Sequence, residues 1–132
     1  MNLDFSAEVK EILEDYTDDV IEATNDSIDV SSKWARGQLK TNGEFKNISG
    51  NYRKGWSVKK ERSVFGIRPQ IVYNRTDYQL THLLEFGHVN RNGSRTRAFP
   101  HIAPVEEQST KMFISELEKR LKKWQKNNYI KA

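Results

Sequence analysis

The sequence predicts an α+β domain: a small antiparallel β-sheet packed against a long N-terminal helix and a C-terminal helix, with a short helix between. Two observations carry this. Apolar residues recur at intervals of three and four before Lys40 and again after Pro104, the period of a helix with one buried face. Between them, residues 52–73 alternate apolar and polar side chains, the period of half-buried strands. Helices flanking a short run of strands place the chain in the class of sheet-plus-helix layers.

Residues 1–40 form the first element. Phe5, Val9, Ile12, Leu13, Tyr16, Val20 and Ala23 fall on one stripe, and the acidic residues around them suit the positive end of a helix dipole. Past Ala23 the pattern weakens through Asn25, Asp26 and Ser27. A kinked single helix and a second helix carrying Ile28, Val30, Trp34 and Leu39 are both open. Residues 41–51, with Gly43 and Gly50, have turn chemistry and no period, hence a loop.

Residues 52–73 are expected to form a β-hairpin. Its first strand runs Tyr52–Lys60, with Tyr52, Trp56 and Val58 on one face, and its second runs Phe65–Tyr73, with Glu61–Val64 as the turn. Pro69 lacks an N–H to donate, which puts an edge or a bulge there. A short helix follows over 77–87, with Asp77 as its cap, Leu80, Leu83 and Leu84 on one face and Gly87 in a left-handed C-terminal position. Residues 88–103 make an arginine-rich loop with Arg91, Arg95 and Arg97, a further strand being open at 97–99, and Phe99 and Pro100 lead out of it. The last helix spans 104–128, with Val105, Met112, Phe113, Leu117, Leu121 and Trp124 as its core stripe, acids first and bases last.

Length and composition bound the function. One hundred and thirty-two residues make a single domain, and without cysteine neither disulfides nor thiolate catalysis are possible. No apolar run reaches the ~18–20 residues of a membrane helix, and the acidic start is unlike a targeting peptide. Charge is polarised. Residues 1–29 hold ten Asp or Glu against Lys10 alone, although the whole chain is +4. Such polarity favours contact between copies or with two partners of opposite sign; the plainer alternative is a solvated acidic helix beside a solvated basic one.

His82, Glu85, His88 and His101 are the only set resembling a metal or acid–base site. Their spacing does not match a zinc-protease helix, and packing or hydrogen bonding explains them more simply. No phosphate-cradling glycine loop, nucleophile elbow or paired carboxylates occur, so an enzyme has no residue to rest on and no cofactor is expected. The arginine loop and the basic last helix, with Trp124 and Tyr129 for stacking, leave a small nucleic-acid-binding module as the competing class.

Two runs of residues go further. Ser49, Gly50, Asn51, Tyr52, Arg53, Lys54, Gly55 and Trp56 form the first; Tyr78, then Leu83, Leu84, Glu85, Phe86, Gly87 and His88, the arginine loop, and Phe99, Pro100, His101, Ile102, Ala103 and Pro104 form the second. In order and content these resemble the small neck or tail-completion proteins of long-tailed bacteriophages, over about residues 45–108. The resemblance implies a structural, non-enzymatic virion subunit of the neck or tail, present in the host cytoplasm during assembly. It would form a ring, a hexamer in the virion with a monomer in isolation also open, between the capsid connector and the tail tube, with passing DNA as a non-specific contact and no membrane. On this reading Arg91, Arg95, Arg97, His88, Asn51 and Arg53 are contact residues. Tyr52, Trp56, Leu83, Leu84, Phe86, Gly87, Phe99 and Pro100 are structural anchors, with Leu83, Leu84 and Phe86 fixing the short helix to the sheet.

Overall fold

The structure, a computed structural model, describes Asp4 and residues 6–41 and 50–129. Most of the expected 41–51 loop, with Ser49, lies outside the described residues, as do Phe5 and the side chains of Val9, Leu13 and Tyr129. The elements in order are helix α1 (Ser6–Thr41), helical turn α2 (Asn51–Lys54), strands β1 (Trp56–Lys60) and β2 (Gln70–Asn74), helix α3 (Gln79–Phe86) and helix α4 (Ile102–Tyr129). The class is α+β, with one two-stranded antiparallel sheet among the described residues.

α1 is one continuous helix of 36 residues, which settles the question left open past Ala23. Asn25 and Ser27 there face inward and are satisfied. The Ser27 hydroxyl, fully buried, donates to the Ala23 carbonyl (2.7 Å), and Thr24 donates to Val20 (2.7 Å), so neither leaves an orphan polar group. Asn25 is buried because it holds the hairpin: its amide donates to the Gly66 carbonyl (3.0 Å) and its oxygen accepts from Arg68 N (2.9 Å).

α4 runs antiparallel to α1. Tyr16 meets Trp124 edge-on at 5.0 Å, the Trp124 indole donates to Asp19, and Arg120 lies 3.7 Å from Asp26. Part of the charge polarity of the sequence is therefore met within one molecule. Pro104 falls in the first turn of α4, where its missing N–H has no helical acceptor to lose.

The hairpin departs from expectation at both ends. Tyr52 stands in the α2 turn and not in the first strand, because Gly50 adopts φ 75° and the Lys54 and Gly55 amides turn back to Gly50 (3.1 Å) and Asn51 (2.9 Å). Asn74 locks this turn by donating to the Tyr52 carbonyl (2.6 Å). β1 therefore begins at Trp56, paired with Asn74, and ends at Lys60, paired with Gln70. The chain reverses at Phe65–Gly66 and not at Glu61–Val64: Val64 and Ile67 bridge, both turn residues have positive φ (52° and 84°), and Glu61 N donates to Pro69 O (2.8 Å).

The core lies where α1, α2, β1 and the start of α4 meet. Ala35, Leu39, Tyr52, Trp56 and Val105 are buried there, with Trp34, Val72, Leu84, Phe99 and Ile102 packed around them. Tyr52 and Trp56 are both buried in this core, Tyr52 reaching it from a helical turn.

Candidate functional site

α3 is the element whose sequence and burial disagree. At 100° per residue its inward side is taken by Leu84 and Glu85, and its outward side by His82, Leu83 and Phe86. Leu84 joins the core, whereas Leu83 is 41% and Phe86 67% exposed, and Leu80 is also outside. Leu83 and Phe86 are therefore not anchors within the subunit, because Glu85 occupies the direction they would need. The helix shows apolar residues to solvent and buries a carboxylate.

That carboxylate begins α4. Glu85 Oε1 accepts from His101 N (2.8 Å) and Ile102 N (2.8 Å), and Oε2 from Ala103 N (3.0 Å), so a side chain from another helix satisfies the amides that the first turn leaves free. Burial pushes the Glu85 carboxyl up. The three amide bonds and the adjacent His101 ring outweigh it, and the net position is below the ordinary carboxylate value.

His101 completes the network. Its Nδ1 faces two acceptors, Phe99 O at 2.7 Å and Glu85 Oε1 at 3.1 Å, and so carries a proton. In the neutral ring Nε2 accepts from the Tyr52 hydroxyl (2.7 Å). Burial, helped by the Glu85 charge, pushes the Tyr52 phenol well above its ordinary value, which keeps it a donor. Glu85 and His101 do come together, then, but as buried structural partners, with His82 outside, stacked on Phe86 at 6.2 Å. Among the described residues no three His, Cys, Asp or Glu side chains are grouped to hold a metal.

After α3 the chain turns at Gly87, with φ 73° and ψ 174°, an extended glycine conformation in place of the expected left-handed helical one. A Cβ there would also stand 2.6 Å from the Thr96 carbonyl. Asp77, expected as the cap of α3, contributes its backbone carbonyl to Leu80 N (3.0 Å), and the helix starts at Gln79 without a side-chain cap.

The arginine segment is a tight hairpin. Val89 bridges Arg95, Thr96 N donates to His88 O (2.8 Å), Asn90 N to Ser94 O (2.7 Å) and His88 N to the Thr96 hydroxyl (2.8 Å). Val89 and Arg95, being directly opposite, share one face of it. Arg91, Arg95 and Arg97 are all exposed, and Arg97 also lies 5.2 Å over the Phe99 ring on the way back to the core. The open strand at 97–99 is not formed; Phe99 N instead donates to the Leu84 carbonyl (2.7 Å), and Pro100 is exposed. Asn51 and Arg53 sit on α2, where the Asn51 carbonyl accepts from Gly55 N (2.9 Å) and the Thr76 hydroxyl (2.9 Å).

Tyr78, Leu80, Leu83, Phe86 and Val89 thus form an exposed apolar strip from the start of α3 into the arginine hairpin. Sequence reasoning made Leu83 and Phe86 anchors of the short helix, named Tyr78 only within the resembling run, and passed over Val89. The available signal was apolar residues at 80, 83, 84 and 86, more than one face of a short helix can bury. An open groove of about 500 Å³ between α1 and the hairpin is lined by Asp29, Lys33, Arg36 and Lys60 among others, a mixed set with no convergent chemistry. No family model, curated protein or solved structure matches the chain, and among the described residues no helix is long and apolar enough to cross a membrane.

Proposed function

We propose that this protein is a structural subunit of the head–tail joint of a long-tailed bacteriophage, a ring-forming neck or tail-completion component that works by docking. The observation that carries this reading is the outward apolar face of α3, with Phe86 67% exposed and Glu85 turned in to begin α4. A monomer gains nothing by showing that strip to water, and a subunit that buries it against a neighbour does. The two runs resembling the neck family supply the biological setting, and they coincide with the residues that build the α2 turn, the α4 cap and the arginine hairpin. Its partners on this reading are copies of itself, the capsid connector and the tail tube.

The test is complementation of a phage lacking the gene. Replacing Arg91, Arg95 and Arg97 with alanine leaves a folded subunit and gives tailless heads and free tails by electron microscopy; joined virions at normal yield would end the proposal. The competing reading, a nucleic-acid-binding module, is favoured by the exposed Arg91 and Arg95. It requires a gel shift on DNA that weakens steeply with salt, from a protein that light scattering finds monomeric.

A further inference from the structure

A second exposed apolar stripe lies at the other end of the charge distribution. In the N-terminal half of α1, Ile12 is 66% exposed and Tyr16, though touched by Trp124, is also open to solvent. These two are one turn apart on one face, flanked by exposed Glu8, Glu11 and Asp15. The α3 strip has the opposite rim: Arg95 stands beside Val89, and Arg91 extends the same hairpin. One chain therefore carries two apolar faces whose borders have opposite sign.

We propose that the occupant of the α3 strip is the acidic N-terminal part of α1 from a second copy of this chain, Ile12 and Tyr16 seating against Leu83 and Phe86 while Glu8, Glu11 and Asp15 meet Arg91 and Arg95. The proposal rests on the reading of the chain as a ring subunit and names the surfaces that would build the ring. Charge selects this pairing over its rivals. Two α3 strips face to face would bring arginine hairpins together, and two α1 stripes would bring carboxylates together, both repulsive. A contact between two different patches of one chain is head-to-tail, and such contacts propagate until a rotation closes them into a ring. Arg120, already beside Asp26 and Glu116 within the subunit, is not needed for it.

The absence of cysteine makes the test direct, because every introduced thiol is unique. Ile12→Cys and Phe86→Cys proteins are mixed and treated with a short bis-maleimide. Phe65→Cys, at the most exposed large apolar position among the described residues, mixed with Ile12→Cys measures random collision. The expected product joins Ile12→Cys to Phe86→Cys, exceeds the Phe65→Cys control, and falls at about 1 M salt, where the Debye length is about 3 Å. Combining Glu8→Lys, Glu11→Lys and Asp15→Lys with Ile12→Cys lowers the yield at least about fivefold, and a Phe86→Cys partner carrying Arg91→Glu and Arg95→Glu restores it.

Cross-linking no better than the control, or Phe86→Cys joined chiefly to itself, overturns the proposal. So does a yield indifferent to charge reversal. The same α1 charge variant in the phage assay separates this inference from the functional reading. Specific cross-linking together with normal virion yield keeps the contact between copies and removes its place at the head–tail joint. No cross-linking, with virion yield still dependent on the arginines, removes the contact and keeps the joint.

Discussion

Glu85 offers the sharpest test of how the second resembling run is built. Glu85→Ala removes the acceptors of three amides at the start of α4. Loss of a helix cap costs about 0.5–2 kcal/mol. Of the three amides, those of Ile102 and Ala103 are partly buried and can take water, whereas that of His101 is buried and is left unpaired, a further cost of about 1–3 kcal/mol. The sum, about 1.5–5 kcal/mol, is a large share of the stability of a domain this size. Glu85→Gln keeps one oxygen for His101 and Ile102 and turns an N–H₂ toward the Ala103 N–H, so about 1–2 kcal/mol is expected. Urea unfolding reads both as a lower midpoint at unchanged slope.

The pH dependence separates a charged cap from mere packing. A carboxyl held below its ordinary 4.5 in the folded state contributes stability that is complete above that value and is lost as pH falls through the folded one. The gap between wild type and Glu85→Gln should therefore be constant from neutrality down to about pH 5 and close at lower pH. A gap that persists unchanged under acid, or a Glu85→Ala cost below about 0.5 kcal/mol, would refute the cap.

Three further outcomes follow from single positions. Phe65 is the one non-glycine residue with positive φ among the described residues, and its ring is 94% exposed, so Phe65→Asn should raise stability by about 1 kcal/mol in thermal unfolding, Asn-Gly being the preferred pair for such a turn. Gly87→Ala should cost at least about 3 kcal/mol, combining a backbone conformation that side chains do not adopt with a methyl 2.6 Å from the Thr96 carbonyl, and chemical denaturation would measure it. Phe86→Ala, which would cost about 3–5 kcal/mol for a buried ring, should lower the stability read by urea unfolding by less than about 1 kcal/mol while abolishing complementation in the phage assay.

What the sequence made legible is what local period controls. The helical spacing before Lys40 and after Pro104 and the strand character of Trp56–Lys60 each encode a local preference, and each is found; the glycine at 87 takes the positive φ expected of it but not the helical ψ. The errors arise where a distant partner decides. Tyr52 leaves the strand because Asn74, far along the chain, bonds its carbonyl. The polar patch at Asn25 and Ser27 leaves a kink or a second helix open, and the helix continues because Asn25 faces the hairpin tip and Ser27 satisfies itself on the preceding turn. The turn falls on Phe65–Gly66 against the turn preference of phenylalanine, because the Val64–Ile67 bridge, one residue out of the Trp56–Asn74 register, leaves those two residues to reverse the chain. Glu85 caps a helix 16 residues away, a distance that no capping motif in sequence covers.

The run from Leu83 to Gly87 shows why recognising a motif is not the same as assigning roles within it. Successive residues of a helix point 100° apart, so five adjacent positions are distributed around the whole circumference. Leu84 and Glu85 point to the fold, Leu83 and Phe86 point away from it, and Gly87 ends the helix in a conformation only glycine takes easily. Loss of function by substitution at any of them would look alike in an assembly assay, although at Glu85 it would come from a loosened α4 and at Phe86 from a missing contact. Stability measured beside assembly resolves the two, since the inward pair should lose both together and the outward pair assembly alone. On the proposed reading the docking surface is the back of a helix whose front holds the fold, so it is coupled to the core. That coupling gives a physical reason for the arginine hairpin and the Glu85 cap to lie on either side of one glycine.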